Sequence, residues 1–297
     1  MVTMIDPTDL GLLLDLDGPV ASPVHRRIVH DSIADDIVAL VDAGAVVVFN
    51  TGRSDAFVAE VIVPALAARG IRPGRRVIGV CEKGGVWFHV TADGIGELTT
   101  DEAFRPPTAV VDGVDALVTE RYAGTMFFDR TKRTMISVEQ RTDVESADYL
   151  AVQPAFDRDV LELFREHGTG VELGGDRAPD AAGEVDFRID PTIISTDIES
   201  VRVGKDLGAE RAVSMLEADG LPVPRRWFSM GDSPSDYRMA DWMHDTGREV
   251  THVDVRPVAV VEKPYEVLRP EDGLVNDDAG AHFLRRIRTA ALGSPES

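Results

Sequence analysis

A single cysteine, Cys81, is all that the 297 residues offer in the way of thiols. One thiol excludes an internal disulfide and fits a reducing compartment. The sequence has no C-x-x-C pair, and its 7 histidines show no H-E-x-x-H spacing. Zinc chemistry is therefore left without its usual ligands. Long apolar runs are also missing. The longest, near Ala43–Phe49, falls far short of the about 20 residues needed to span a bilayer. The first residues, Met1-Val-Thr-Met-Ile-Asp-Pro7, have neither a basic stretch nor an extended apolar core, so no secretory signal is read. A soluble cytoplasmic protein, monomer or homodimer, with no membrane partner is the expectation. Positive charge is scarce as well. Lys and Arg number 31 against 52 Asp and Glu, a net charge of −21. Such a balance argues against a nucleic-acid partner, because phosphate backbones are neutralised by Lys and Arg. It leaves room for a small anion, which one local cluster of donors can hold.

What is present points to an ordered α/β protein. Hydrophobic residues make up 43% of the chain, enough for a sizeable core. The length exceeds the usual single domain of about 100–150 residues. Leu10–Asp15, Ala45–Phe49 and Arg76–Cys81 read as strands buried on both faces. Helical spacing over Ser32–Ala43 and Asp55–Arg69 separates them. From about Arg105 to Glu199 the rhythm changes to short Thr/Val/Phe-rich segments, Thr125–Phe128, Thr134–Glu139, Gly170–Leu173 and Val185–Ile189, with a helix near Asp157–His167. Beyond it come a helix over Asp206–Asp219, a strand over Arg226–Met230, a short helix over Asp236–Met243, and strands over Thr251–Val255 and Val258–Val261; the tail Leu292–Ser297 reads as disordered. The pattern predicts a Rossmann-like, mostly parallel sheet in residues 1–104 and 200–297, with an antiparallel α+β subdomain inserted at 105–199.

Four clusters fall at the ends of core strands, where open α/β sheets bind ligands. In Asp15-Leu-Asp17-Gly18 the two carboxylates lie two residues apart, so both can face one pocket. There they repel unless a hard cation such as Mg²⁺ sits between them or one holds a proton. Asn50-Thr51-Gly52-Arg53 suits an anion at a strand-to-helix turn, or equally caps the next helix. Lys205 stands at a helix start, against the helix dipole; it is either functional or a solvated surface lysine. Gly231-Asp232-Ser-Pro-Ser-Asp236 brings two more carboxylates to the same edge, or forms a capped turn.

In that order and spacing, the four clusters resemble the motifs of the haloacid dehalogenase-like (HAD) hydrolase superfamily. Thr51-Gly-Arg-Ser and Cys81-Glu-Lys-Gly-Gly85 are similar to its C2-capped sugar-phosphatase branch, and the insert looks like that branch's cap. The resemblance implies a Mg²⁺-dependent phosphatase acting on a small phosphorylated metabolite such as a sugar phosphate. It implies Asp15 as the nucleophile that becomes an aspartyl-phosphate and Asp17 as general acid and base. Thr51, Gly52 and Lys205 would hold the phosphoryl oxygens. Mg²⁺ would be bound by the Asp15 carboxylate, the Asp17 carbonyl and Asp232, with Asp236 supporting. Pro19 stands where the family usually has Thr, and Ser235 where the branch usually has Asn. A phosphosugar mutase and a non-catalytic binding protein are the alternatives.

Substrate choice would fall to the insert. Arg105 to Glu199 contains 10 basic and 20 acidic residues, yet Asp129–Arg141 carries Arg130, Lys132, Arg133 and Arg141. That stretch either reads a second anionic group, such as a carboxylate, or is a hairpin with a solvated basic face. A second cluster, Arg69, Arg72, Arg75 and Arg76, lies in a helix-to-strand loop, at the sheet edge opposite the expected site.

Overall fold

In a computed structural model, residues 5–256, 261–270 and 273–293 are described. The chain divides into two compact units, residues 1–99 with 204–297, and residues 100–203. The first unit opens with β1 (Leu10–Leu14), α1 (Asp31–Asp42) and β2 (Val46–Asn50). Where one helix is expected over Asp55–Arg69, α2 (Asp55–Phe57) passes through a π-helical turn, Val58–Ile62, into α3 (Val63–Ala67). Pro64 explains the irregularity: it has no N–H to continue a regular α-helical ladder through this point. Then come β3 (Val77–Cys81), β4 (Val86–Thr91), β5 (Gly94–Ile95) and the two-residue β6 (Thr99–Thr100).

The second unit holds α4 (Thr108–Leu117), β7 (Met126–Phe128), β8 (Ile136–Gln140), α5 (Ser146–Glu166), β9 (Val171–Leu173), β10 (Asp176–Ala178), β11 (Phe187–Pro191) and β12 (Ser195–Ser200). Its sheet runs β10-β9-β11-β12-β8-β7 and is antiparallel except for β9 beside β11. Two expectations need correction here. Helix α5 begins at Ser146 rather than Asp157, running straight through Pro154. Its buried face of Tyr149, Phe156, Val160 and Phe164 and the Gln153 amide, which donates to the carbonyls of Thr192 and Ser195 at 2.9 and 3.0 Å, outweigh the missing proline donor. The strand expected at Val185–Ile189 starts at Phe187, because the Asp186 and Phe187 amides both donate to Gly170 O.

The chain returns to the first unit through α6 (Lys205–Ala218), β13 (Arg226–Gly231), α7 (Tyr237–Asp245), β14 (Glu249–Asp254), β15 (Glu266–Leu268) and α8 (Asn276–Leu292). The strand expected at 258–261 lies, but for Val261, outside the described residues. The tail expected to be disordered from Leu292 begins inside α8, and its last four residues lie outside them too. Sheet order is β15-β14-β13-β1-β2-β3-β4-β5, parallel from β15 to β3 and antiparallel beyond. The α/β, mostly parallel sheet read from the sequence is therefore the observed fold class.

Both faces of this sheet are covered, which is why its strands are apolar without alternation. Leu12, Leu14, Val47 and Phe49 pack on one side with Ile37, Leu40, Phe283 and Ile287. Leu13, Val46 and Val48 pack on the other with Ala209, Val213, Met239 and Trp227. Each such side chain contributes about 1.5–3 kcal/mol. Gly11 is obligatory: a Cβ there would lie 2.4 Å from the Trp227 ring. No element is expected from the sequence over 276–292, yet α8 forms there and packs along α1. A Cβ on Gly280 would stand 1.9 Å from the main-chain oxygen of Pro19, so α8 leans directly on the turn after β1. Among the described residues, no helix is long and apolar enough to cross a membrane.

Gly280→Val is expected to push α8 off this turn and lower stability by about 2 kcal/mol. A fall in the urea midpoint at unchanged m-value checks this; an unchanged midpoint would show that the contact is slack.

Candidate active site

The register of the parallel strands assembles the site. Leu14 lies level with Phe49 of β2 and Met230 of β13. The residues that follow, Asp15, Asn50-Thr51 and Gly231-Asp232, therefore leave the sheet side by side. Asp15 is still tied to the sheet, donating its amide to Met230 O at 2.9 Å, and its Oδ1 accepts from the Leu16 amide at 2.7 Å. The turn beyond it needs Gly18. Its φ is +93°, and a Cβ would meet the Asp232 side chain at 2.8 Å.

Lys205 is at the centre. It is the first residue of α6 and buried, not the solvated surface lysine that was one sequence-based option. Its Nζ lies 2.8 Å from Asp15 Oδ1 and 2.7 Å from Asp236 Oδ1, and donates to the carbonyl of Asn50 at 2.8 Å. Asn50 returns the contact, its Nδ2 donating to Lys205 O at 2.8 Å. This reciprocal pair locks the end of β2 to the start of α6. It passes unnoticed in the sequence, although a polar residue closing the run Val46–Phe49 is its signal. Gly208 allows the approach, since a Cβ there would meet Asn50 Oδ1 at 2.0 Å.

Asp236 is fully buried and serves the loop as well as the lysine. Its Oδ2 accepts from the amides of Asp232 and Ser233 at 3.1 and 3.0 Å and from Ser233 Oγ at 2.8 Å, closing a capping box. Ser235, the departure noted in the sequence, is exposed and bonds Ser233 Oγ at 2.8 Å.

Thr51 is buried with its amide on Val80 O at 2.9 Å, and its Oγ1 accepts from the Arg53 amide at 3.1 Å. Gly52, beside it, is half-buried. The loop after β3 braces this turn. Glu82 and Lys83 both adopt positive φ, +51° and +55°, a costly conformation for residues with side chains. In return, their amides donate to Arg53 O and Thr51 O at 3.1 and 3.0 Å, while Lys83 O accepts from Gly204 at 2.8 Å. Glu82-Lys83 thus ties the Thr51 turn to the residue preceding Lys205.

Asp17 is held from outside by Arg53, whose Nε and Nη2 reach Asp17 Oδ2 and Oδ1, each at 2.8 Å. This two-pronged pair fixes both oxygens, and the Arg53 guanidinium also lies over the Phe57 ring at 5.0 Å.

The electrostatics are those of a site short of positive charge. Burial pushes the Asp15 carboxyl up to about 8; Lys205 opposes this, and Asp236 and Asp17 add to it. Asp232 is raised to about 6 by burial and then by Asp236. Burial works on Asp236 too, but Lys205 and Ser233 hold it below the usual range. The Lys205 ammonium is held well above its usual value: burial opposes the charge, but Asp15 and Asp236 overcome it. Oxygens of Asp15, Asp232 and Asp236 lie within 4.8 Å of one another. An all-oxygen set with unmet negative charge fits a hard divalent cation.

The structure therefore brings together Asp15, Asp17, Thr51, Lys205, Asp232 and Asp236. Arg130 and Arg141, both in the second unit, are paired with Asp115 and Asp143 at 2.6 and 2.8 Å. The loop arginines Arg69, Arg72 and Arg75 are likewise paired, with Asp31 and Asp35, Asp42, and Asp42.

No family model and no curated protein matches the chain. Solved structures do. Trehalose-6-phosphate phosphatase of Aspergillus fumigatus matches with a TM-score of 0.51 at 14% identity, over 98% of this chain and 100% of that one. A HAD/COF-like hydrolase of Plasmodium vivax matches with a TM-score of 0.55 at 13% identity, over 94% and 96%. IMP-nucleotidase of Plasmodium falciparum matches with a TM-score of 0.56 at 10% identity, over 96% of this chain and 61% of that one. The chain has the fold of these HAD-like proteins.

Burial and Asp236 raise Asp232 to about 6 from its ordinary 3.8. Between pH 4 and 6 this group therefore binds more proton in the native state than in the unfolded one, and its own contribution to stability falls as pH rises. In chelator, Asp232→Asn is expected to flatten this part of the profile. Thermal midpoints at pH 4, 5 and 6 read it, and an unchanged slope contradicts the assignment.

Proposed function

We propose that this chain is a Mg²⁺-dependent phosphatase that hydrolyses a small phosphorylated metabolite, of the sugar-phosphate class, through an aspartyl-phosphate on Asp15. The observation that carries the reading is Lys205, buried between Asp15 and Asp236 with Asp232 beside them. A buried ammonium aimed at a carboxylate nucleophile is what two anions meeting at phosphorus require. The trehalose-6-phosphate phosphatase and the nucleotidase among the structural neighbours act, by their names, on phosphate esters, which supports the substrate class.

In this reading a carboxylate oxygen of Asp15 attacks phosphorus as the P–O ester bond breaks. Asp17 gives its proton to the departing alkoxide. It then takes one from water, whose oxygen attacks the same phosphorus and releases inorganic phosphate and the Asp15 carboxylate. Lys205 and the Thr51 hydroxyl hold the phosphoryl oxygens, with the Gly52 amide beside them. Mg²⁺ would be held by Asp15, Asp232 and the Asp17 carbonyl, with Asp236 supporting through the loop, and would supply charge neutralisation. Arg53 orients Asp17 for these transfers, holding both of its carboxylate oxygens at 2.8 Å.

Turnover of para-nitrophenyl phosphate is expected with Mg²⁺ and not with EDTA. Asp15→Asn should keep its circular dichroism spectrum and lose at least about 10³-fold in kcat. Near-normal turnover by that variant would remove Asp15 as nucleophile. Isomerised product from a sugar phosphate, without phosphate release, would mark a mutase instead.

A further inference from the structure

Residues 105–199 of the second unit carry twice as many acids as bases, yet four of the ten bases in that stretch, Arg105, Arg130, Lys132 and Arg133, line one cavity of about 330 Å³. Arg105 and Arg130 already have Glu102 and Asp115 as partners, and the four bases still direct their charge around one cavity, where it favours an anion. The walls are built rather than loose. Arg105 Nε donates to Arg133 O at 2.8 Å, tying the loop between β7 and β8 to the start of the unit. Arg202 donates to Ala103 O at 2.9 Å, and its guanidinium lies over the Phe104 ring at 4.7 Å, anchoring the segment before Arg105.

The donors are compatible with a further ligand. Arg130 meets Asp115 through Nη2 alone, so the rest of its fork is available to donate. Arg105 gives Nη1 to Glu102 at 2.9 Å. Thr108, the first residue of the ten-residue helix α4, is also in the wall, and no side chain caps that helix. The helix start adds partial positive charge in the same direction. Phe128, Met135 and Val111 supply an apolar floor.

We propose that this cavity is a second anion site, contained within the second unit, for a small phosphate or carboxylate dianion with an apolar portion. Two sources share that chemistry, a free metabolite anion and a distal anionic group on the substrate. Only the second rests on the phosphatase reading.

The test titrates the full chain with inorganic phosphate and follows backbone amides by NMR. Saturable shifts are expected at Arg105, Thr108, Lys132 and Arg133. In Lys132→Glu/Arg133→Glu their midpoint should weaken at least tenfold, while shifts at Thr51 and Lys205 keep theirs. The neutral Lys132→Gln/Arg133→Gln pair should weaken it in the same direction, which separates loss of the site from loss of fold. Absence of saturable shifts over 105–135, or shifts that survive charge reversal, overturns the proposal. Turnover then assigns the source. Alkanediol bisphosphates are compared with the matching monophosphates. A tenfold fall in the ratio of their kcat/KM values in the variant assigns the site to substrate; a constant ratio alongside lost binding assigns it to a free anion. Because binding is read without turnover, an Asp15→Asn protein that is inactive but still shifts over 105–135 keeps the two readings separate.

Discussion

The site depends on one buried charge. Lys205 Nζ is shared by Asp15, Asp236 and the Asn50 carbonyl, and each of those groups belongs to a different element. Taking an ammonium and two carboxylates out of water costs several kcal/mol per ion unless the geometry repays it. Here the repayment comes from contacts that also define the architecture: Asn50 closes β2 against α6, and Asp236 folds the loop after β13. Removing the lysine would leave two carboxylates facing each other in a dry pocket, so the same interaction that holds the three chain ends together also sets the chemistry.

Around that charge the fold supplies rigidity through close approach. Glycines stand where anything larger collides: Gly11 under Trp227, Gly18 against Asp232, Gly208 against Asn50 and Gly280 against Pro19. The main-chain oxygen of Pro19 is the surface against which α8 packs, so the turn after β1 is part of the helix contact. The strained Glu82-Lys83 turn is a second example of local cost offset by connection, since its main chain reaches both the Thr51 turn and Gly204.

Much of this was legible in the residues. Unbroken apolar runs ending in Asp15 and Asn50-Thr51 mark parallel strands covered on both faces, and short motifs at strand ends mark the edge where ligands bind. What escaped has recognisable physical causes. Helix α8 is a polar sequence whose buried positions, Ala279, Phe283, Ile287 and Ala290, matter only because α1 lies alongside. Helix α5 continues through Pro154 because packing and Gln153 outweigh one lost donor. Arg53 was visible as part of a motif, but its grip on both oxygens of Asp17 is a matter of three-dimensional direction.

The sequence alone determined the layer architecture, the order of the motifs and the identity of the charged groups, because periodicity and residue chemistry are local properties of the chain. Tertiary structure alone decided that Lys205 is buried between two carboxylates rather than solvated, that Asn50 and Glu82-Lys83 brace the site, and that four cations of an acidic unit line one cavity. Each of these depends on distances between residues far apart in the chain. Strand register and helix packing set such distances, and no local pattern encodes them.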